Sequence, residues 1–328
     1  MRRDLLRAFA AALALGAPGV AAAQAGPDAP YPNRPLRMVV PFAPGGAADL
    51  VARICAQTMS EELGQPVVVE NRGGSGGVIG SEAALAAPAD GHTIVFHTLS
   101  SAVLNAGLYR NLPFDVRRAF APVALVGLVP NLVLVNPRVP AGTLQELIAL
   151  MRREPGRLSY ASSGNGTITH LSAHMLAEMA RAEAIHVPYR GSGPAMTDLI
   201  AGTVHWMVDT MASVIPTVRA GQLRALAVTT RTRTPVLPEV PTAEEAGLPG
   251  YESYNWHAVF APAAVPQAVR ARLEEATLAA LRAPATQARL ADIGVEPRPV
   301  GSRELEAFWD AQLALWLPII RASGASAN

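Results

Sequence analysis

Along the chain, short apolar runs alternate with stretches in which apolar residues recur every three or four positions. Residues 36–42 are apolar almost throughout and predict a strand buried on both faces. Residues 47–63 then place Leu50, Val51, Ile54, Cys55, Met59 and Leu63 on one helical face. Residues 67–70 predict a strand, 78–87 a helix and 93–97 another strand. A second series follows: helix 144–153, strand 158–162, helix 169–181, strand 185–189, helix 194–201, and strands 204–209 and 224–230. Residues 254–260 read as a returning strand, and helices 266–281 and 303–320 close the chain.

Alternation of strand and helix implies right-handed βαβ units around a mostly parallel sheet. Between the two series, residues 122–137 are nearly all apolar, interrupted by Gly127, Pro130 and Asn131, and read as two strand-like halves. This segment is expected to cross out of a first lobe, and the return at Tyr254 makes a second crossing, hence a hinge. Pro235, Pro238, Pro241 and Pro249 make residues 230–250 a loop, because proline cannot complete a central ladder. The expected organisation is a leader over 1–25, lobe 1 over 26–133, lobe 2 over 134–253, and a return to lobe 1 over 254–328.

The first residues carry a different signal. Arg2, Arg3 and Arg7 precede an Ala/Leu-rich run, and Ala23-Gln24-Ala25 supplies the small residues of a cleavage site. Gly16, Pro18 and Gly19 break the run, which falls short of the roughly 20 apolar residues that span a membrane. Residues 1–25 are read as a signal peptide, and the mature chain is expected in the periplasm.

Composition narrows the chemistry. Half of the 328 residues are hydrophobic, enough for a sizeable core. The net charge of +1 falls to about −1 without the leader, so no basic field exists to hold nucleic acid. All 27 basic residues are arginine, which excludes a P-loop lysine and a Schiff-base lysine. Cys55 is the one cysteine and leaves no intramolecular disulfide.

The candidate chemistry lies in glycine-bearing turns. Phe42-Ala43-Pro44-Gly45-Gly46 connects a strand to a helix. The first N–H groups of a helix have no partner inside it, and the dipole is positive there. Glycine lets a carboxylate approach that backbone closely. Ser162-Ser163-Gly164-Asn165-Gly166-Thr167 repeats the arrangement in the second series, and Asn71-Arg72-Gly73-Gly74-Ser75-Gly76-Gly77 adds a third turn. Ligands of open α/β sheets sit beyond the carboxyl ends of strands, so turns from both lobes are expected to face one cleft.

Enzymatic patterns are weak. Gly73-Gly74-Ser75-Gly76-Gly77 satisfies G-x-S-x-G, with Asp209 and His257 following in hydrolase order. Four glycines around one serine make this a chance match, and no oxyanion-hole motif accompanies it. His170 and His174 stand one helical turn apart without an intervening Glu or a third ligand. No catalytic residue, metal or cofactor is expected.

Taken together, these segments resemble the Bug (TctC-like) extracytoplasmic solute receptors of the tripartite tricarboxylate transporters. The resemblance runs through Tyr31-Pro32, Val39-Val40-Pro41-Phe42 with Gly45-Gly46, Val69-Glu70-Asn71-Arg72 and Pro88-Ala89-Asp90-Gly91-His92-Thr93. It continues through Leu108-Tyr109 with Leu112-Pro113-Phe114-Asp115, Ser163-Gly164-Asn165-Gly166-Thr167, Val187-Pro188-Tyr189-Arg190-Gly191 and Leu237-Pro238-Glu239-Val240-Pro241-Thr242. One departure is Asn71-Arg72-Gly73-Gly74-Ser75 in place of the commoner N-R-P-G-A.

The resemblance implies a two-lobed type II periplasmic-binding-protein fold, an α/β Venus flytrap in which each lobe is a mostly parallel sheet flanked by helices. It implies a ligand carboxylate held by backbone N–H groups and ordered waters at Phe42, Ala43, Gly45 and Gly46 on one side. Ser163, Asn165, Gly166, Thr167 and His170 hold it on the other, and Asp209 on the cleft wall accepts from a ligand donor. The implied partners of this monomer are a small organic acid (di- or tricarboxylate, or aromatic carboxylate) and the membrane subunits of a tripartite tricarboxylate transporter. A sensor docking on a receptor kinase would use the same cleft, and a serine hydrolase would use Ser75.

Overall fold

A computed structural model describes residues 31–323 and 326. The expected signal peptide lies outside the described residues. Lobe 1 begins with β1 (Leu36–Val40), α1 (Ala47–Leu63), β2 (Val67–Asn71), α2 (Val78–Leu85) and β3 (Thr93–Thr98). Two short helices, α3 (Asn105–Leu108) and α4 (Val116–Ala119), lead into the long strand β4 (Phe120–Val135). Lobe 2 holds α5 (Leu144–Arg153), β5 (Ser159–Ser162), α6 (Ile168–Met179), β6 (Ile185–Pro188) and α7 (Ser192–Ala201). It ends with β7 (Trp206–Thr210), α8 (Met211–Arg219) and β8 (Arg224–Val228). The chain returns through β9 (Tyr254–Pro262), α9 (Gln267–Arg282), α10 (Pro284–Asp292), β10 (Glu296–Gly301) and α11 (Ser302–Ser323). None of these helices is long and apolar enough to cross a membrane.

The strands form one curled sheet in the order β2-β1-β3-β9-β4-β7-β5-β6, with β10 and β8 also pairing with β4. The sheet is more mixed than the strand–helix alternation suggests. β1 pairs in parallel with β2 and β3, and β5 with β6 and β7. β9 instead runs antiparallel to β3 and β4, and β4 antiparallel to β7, β8 and β10. Among the described residues, the two strands that cross between lobes account for every antiparallel pair.

The crossing segment, expected as two halves, is one unbroken strand. Its first part pairs with β9 from Phe120 to Pro130, and its second part with β7 from Asn131 to Val135. Pro130 cannot donate to a ladder, and Asn131 compensates at the change of partner. The Asn131 amide donates to Ser253 Oγ at 3.1 Å, and its carbonyl oxygen Oδ1 accepts from Thr210 Oγ1 at 3.1 Å. Gly127 has no room for a side chain, because a Cβ there would overlap the Glu296 carbonyl of β10.

Residues of β1 explain its continuous apolar run. Met38 and Val40 join a cluster with Val51, Cys55 and Met59 of α1, while Val39 joins Trp256, Phe260 and Trp309 on the opposite face. The first cluster continues into lobe 2 through Leu199 of α7 and Met211, Val214 and Ile215 of α8. A separate lobe 2 core packs Val133, Trp206 and Val208 against Leu144, Leu147 and Leu176.

Candidate ligand-binding cleft

Four parallel strands of the two lobes end around one cavity of about 590 Å³. Phe42 follows β1, Gly74, Ser75, Gly76 and Gly77 follow β2, Ser163, Gly164 and Asn165 follow β5, and Tyr189 and Arg190 follow β6. Tyr109, just past α3, and Pro194 of α7 complete the wall. Among these residues Arg190 is the single charged group, and no carboxylate is present. Such a cavity favours an anion.

The turn after β2 is wound the wrong way for L-residues. Ser75, Gly76 and Gly77 have φ of 47, 60 and 102°. Glycine adopts these angles freely, whereas serine carries a cost of about 1 kcal/mol or more. Asn105 pins the turn from behind by donating from Nδ2 to the Gly76 carbonyl at 3.1 Å. Asn105 is fully buried, and its Oδ1 has no hydrogen-bond partner within the protein. Burial holds the Tyr109 phenol above its ordinary pKa, so it remains a donor at neutral pH.

The turn after β5 is held by its own side chains. Thr167 caps α6, accepting from the His170 N–H at 3.4 Å and donating to the Gly164 carbonyl at 2.7 Å. The Gly166 N–H donates to His170 Nδ1 at 3.0 Å, so the proton of the neutral imidazole sits on Nε2. The His170 ring stacks on His186 at 3.8 Å and 5°. Burial pushes His170 down to about 3 and His186 to about 4, so both are uncharged at neutral pH. Ser163 Oγ meets Thr169 Oγ1 at 2.9 Å. Of the residues expected here, Ser163 and Asn165 line the cavity, while Gly166, Thr167 and His170 support them from behind.

The turn after β1 gives one residue to the cavity wall, and its other residues pack beside it. Phe42 lines the cavity. The Gly45 N–H, two residues before α1, donates to Asp49 Oδ2 at 3.0 Å. Asp49 is buried in the first turn, where the helix dipole favours a carboxylate, and Arg53 neutralises it at 2.9 Å. The Gly45 N–H is thus taken by the chain's own anion. The Ala43 N–H donates across the lobes to the Arg190 carbonyl at 3.2 Å, and Gly46 faces Ser192. Ala43, Gly45 and Gly46 therefore form an interlobe contact beside the cavity.

Asp209 lies behind the wall and not on it. Its buried carboxylate accepts from Ser192 Oγ at 2.8 Å, Ser213 Oγ at 3.1 Å and its neighbour Thr210 N–H at 2.8 Å. Those donors, all from within the protein, engage both of its oxygens. Burial pushes its pKa up to about 6 despite these bonds.

The hydrolase arrangement is not assembled. Ser75 lines the cavity, but His257 is fully buried in β9 against Phe96, and neither ring nitrogen has a partner. His174 turns toward Glu178 at 3.5 Å. A smaller cavity of about 290 Å³ at the far end of lobe 2 holds Arg138, Arg153 and Arg157, where Glu154 pairs with Arg153 and Arg157.

Sequence reasoning left Gly74, Ser75, Gly76, Gly77, Tyr109, Tyr189 and Arg190 out of the expected ligand contacts. The signal for the last two was present: Tyr189-Arg190-Gly191 follows a parallel strand, where the carboxyl-end rule puts ligand contacts. Tyr109 was marked only by the family motif Leu108-Tyr109, which gave it no role, and the short helix α3 brings it in.

Residues 51–325 match the model of the tripartite tricarboxylate transporter family receptor, TctC. The chain belongs to this receptor family. A relative from Pseudomonas sp. strain P51, the UPF0065 protein in the tcbD-tcbE intergenic region, is 42% identical, with 91% of this chain and 89% of that protein covered. Two solved receptor-like structures are also similar. Rpa4515 of R. palustris, with adipate, shares 35% identity and a TM-score of 0.87, covering 90% of this chain and 99% of that one. MatC from Rhodopseudomonas palustris, with bound malate, shares 33% identity and a TM-score of 0.84, covering 88% of this chain and 100% of that one. The expected family and two-lobed α/β fold of this receptor are thereby established.

Proposed function

We propose that this receptor captures a small organic carboxylate between its lobes in the periplasm and delivers it, unaltered, to the membrane subunits of a tripartite tricarboxylate transporter. The observation that carries the reading is the acid-free cavity whose walls come from strand ends of both lobes, with Arg190 as its one charge. A carboxylate bridging the Ser75–Gly77 turn and the Ser163 and Asn165 turn makes its full set of contacts only when the lobes are together. It therefore stabilises the closed form by its differential affinity for that form. Wet, backbone-dominated binding suits a family whose members include an adipate-bound and a malate-bound protein, since bridging waters keep the cost of polar desolvation low. Export by residues 1–25 places the mature chain where such acids are met.

The test is calorimetric titration of the mature chain with adipate, malate, citrate and benzoate, with the recovered ligand checked by mass spectrometry. Micromolar or tighter binding of at least one acid, recovered unchanged, is expected. Absence of binding to every acid, or conversion of a bound acid, overturns the reading. Loss of uptake of that acid in cells lacking the receptor tests the delivery step.

A further inference from the structure

Beside the cavity the two lobes meet along a strip of nearly bare backbone. Lobe 1 contributes Ala43, Pro44, Gly45 and Gly46, and lobe 2 contributes Arg190, Gly191, Ser192 and Gly193. A Cβ on Gly73 would lie 2.8 Å from both the Ala43 nitrogen and the Arg190 carbonyl oxygen. A Cβ on Gly191 would lie 2.9 Å from Ala43, but Gly191 has φ of 145° and needs glycine for its own conformation.

Gly193 has no such local reason. It sits in the first turn of α7, outside the left-handed region, where glycine costs up to about 1 kcal/mol of helix stability against alanine. A Cβ added there would overlap the Pro44 carbonyl oxygen, and the next nearest atoms are Pro44 C and Gly45 Cα. All three belong to the opposite lobe. The nearest obstacles to a Cβ at 193 thus come from lobe 1 and not from lobe 2.

We infer that Gly193 is a positioning residue for lobe closure: its missing side chain lets lobe 2 seat on the Pro44 carbonyl. Because ligand contacts from both turns exist together only in the closed form, the residue sets affinity for every ligand by the same factor. It discriminates between none of them. Gly46 provides a graded comparison, since a Cβ there would sit 3.3 Å from Ser192 Cβ, a tight but tolerable contact.

That same spacing supplies a ligand-free test, because 3.3 Å between Cβ atoms is close to the roughly 3.5–4.5 Å of a disulfide. In the full mature chain, the pair Gly46→Cys and Ser192→Cys is expected to crosslink under mild oxidation, and addition of Gly193→Leu to slow crosslinking at least tenfold. In the otherwise unmodified receptor, Gly193→Leu should keep or raise the melting temperature without ligand. It should weaken each acid that the parent binds at least tenfold while leaving the ratio between adipate and malate unchanged, with Gly193→Ala intermediate and Gly46→Ala within about threefold of the parent. Crosslinking unaffected by Gly193→Leu, no crosslinking in the Gly193 background, or parental affinity in the Leu variant overturns the inference. The ligand arm rests on the carboxylate reading; if the parent binds none of the acids, that reading fails while the crosslinking arm still decides this one.

Discussion

The Ser192 hydroxyl donates to the buried Asp209 carboxylate at 2.8 Å, and the Ser192 Cβ is the lobe 2 atom facing Gly46 of lobe 1. A carboxylate at the end of one strand thereby fixes the residue on which the other lobe rests. Asp209 shapes the interlobe contact through Ser192.

Its raised pKa gives this arrangement a pH signature. The folded value of about 6 lies above the ordinary 3.8, so the folded state binds the proton more tightly than the unfolded chain. The stability this group contributes is full below pH 3.8 and is lost as pH rises through about 6, a swing of about 3 kcal/mol. Replacing the carboxylate by an amide would keep an oxygen for Ser192 and Thr210 without ionising. Asp209→Asn is expected to gain roughly 1–3 kcal/mol relative to the parent between about pH 4 and 7 in urea unfolding. A difference that stays constant with pH removes the assignment.

Buried histidines act with the opposite sign. Burial pushes His97 and His257 down to about 3, below the ordinary 6.5. The stability tied to their neutral forms is present above pH 6.5 and is lost as pH falls toward 3. Since neither ring nitrogen of His257 has a partner, phenylalanine can replace it without orphaning a polar group. His257→Phe should match the parent within about 1 kcal/mol at pH 7 and exceed its melting temperature at about pH 4.5. A variant as acid-sensitive as the parent would show that the ring is not charging there.

Gly76 stands where the cavity has no slack. A Cβ would sit 3.2 Å from both Asn105 Oδ1 and the Asn165 carbonyl oxygen of the other lobe, and 3.3 Å from the Tyr109 hydroxyl. Its φ of 60° adds about 1 kcal/mol of strain for alanine. Gly76→Ala is expected to fold with a modestly lowered melting temperature and to lose at least tenfold in acid affinity. Parental affinity in titration calorimetry would remove Gly76 from the site.

Arg190 offers the cavity its one formal charge, and charge-assisted hydrogen bonds contribute about 1.5–3 kcal/mol. Arg190→Gln leaves the carbonyl that binds Ala43 in place, so the interlobe contact survives. Affinity for a dicarboxylate should fall roughly 10- to 100-fold, with a weaker dependence on salt concentration. Equal salt dependence in parent and variant would place the guanidinium outside the site.

The expected helix 144–153 coincides with α5 because Leu144, Leu147, Ile148 and Met151 make one buried face and Thr143 and Glu146 form a capping box. The strand expected over 36–42 is legible for the same kind of reason. Residues 284–292 and 296–301 form α10 and β10 without a readable pattern, since Pro284, Pro297 and Pro299 mask the first and break the alternation of the second. Within the site, Ser163 and Asn165 were legible from a strand–turn–helix pattern, whereas the place of Tyr109 on the cavity wall was not.

By itself the sequence determined the βα units, the glycine turns at their carboxyl ends and the kinship with a receptor family, because each of these is written in local periodicity or short motifs. The tertiary structure alone decided which turns open onto the cavity. That outcome depends on where donors are already spent: the Gly45 N–H on Asp49, the Ala43 N–H on the Arg190 carbonyl, and the Ser192 hydroxyl on Asp209. These pairings join residues whose partners the local pattern does not specify, and the last two became visible only once lobe 2 was folded or seated on lobe 1.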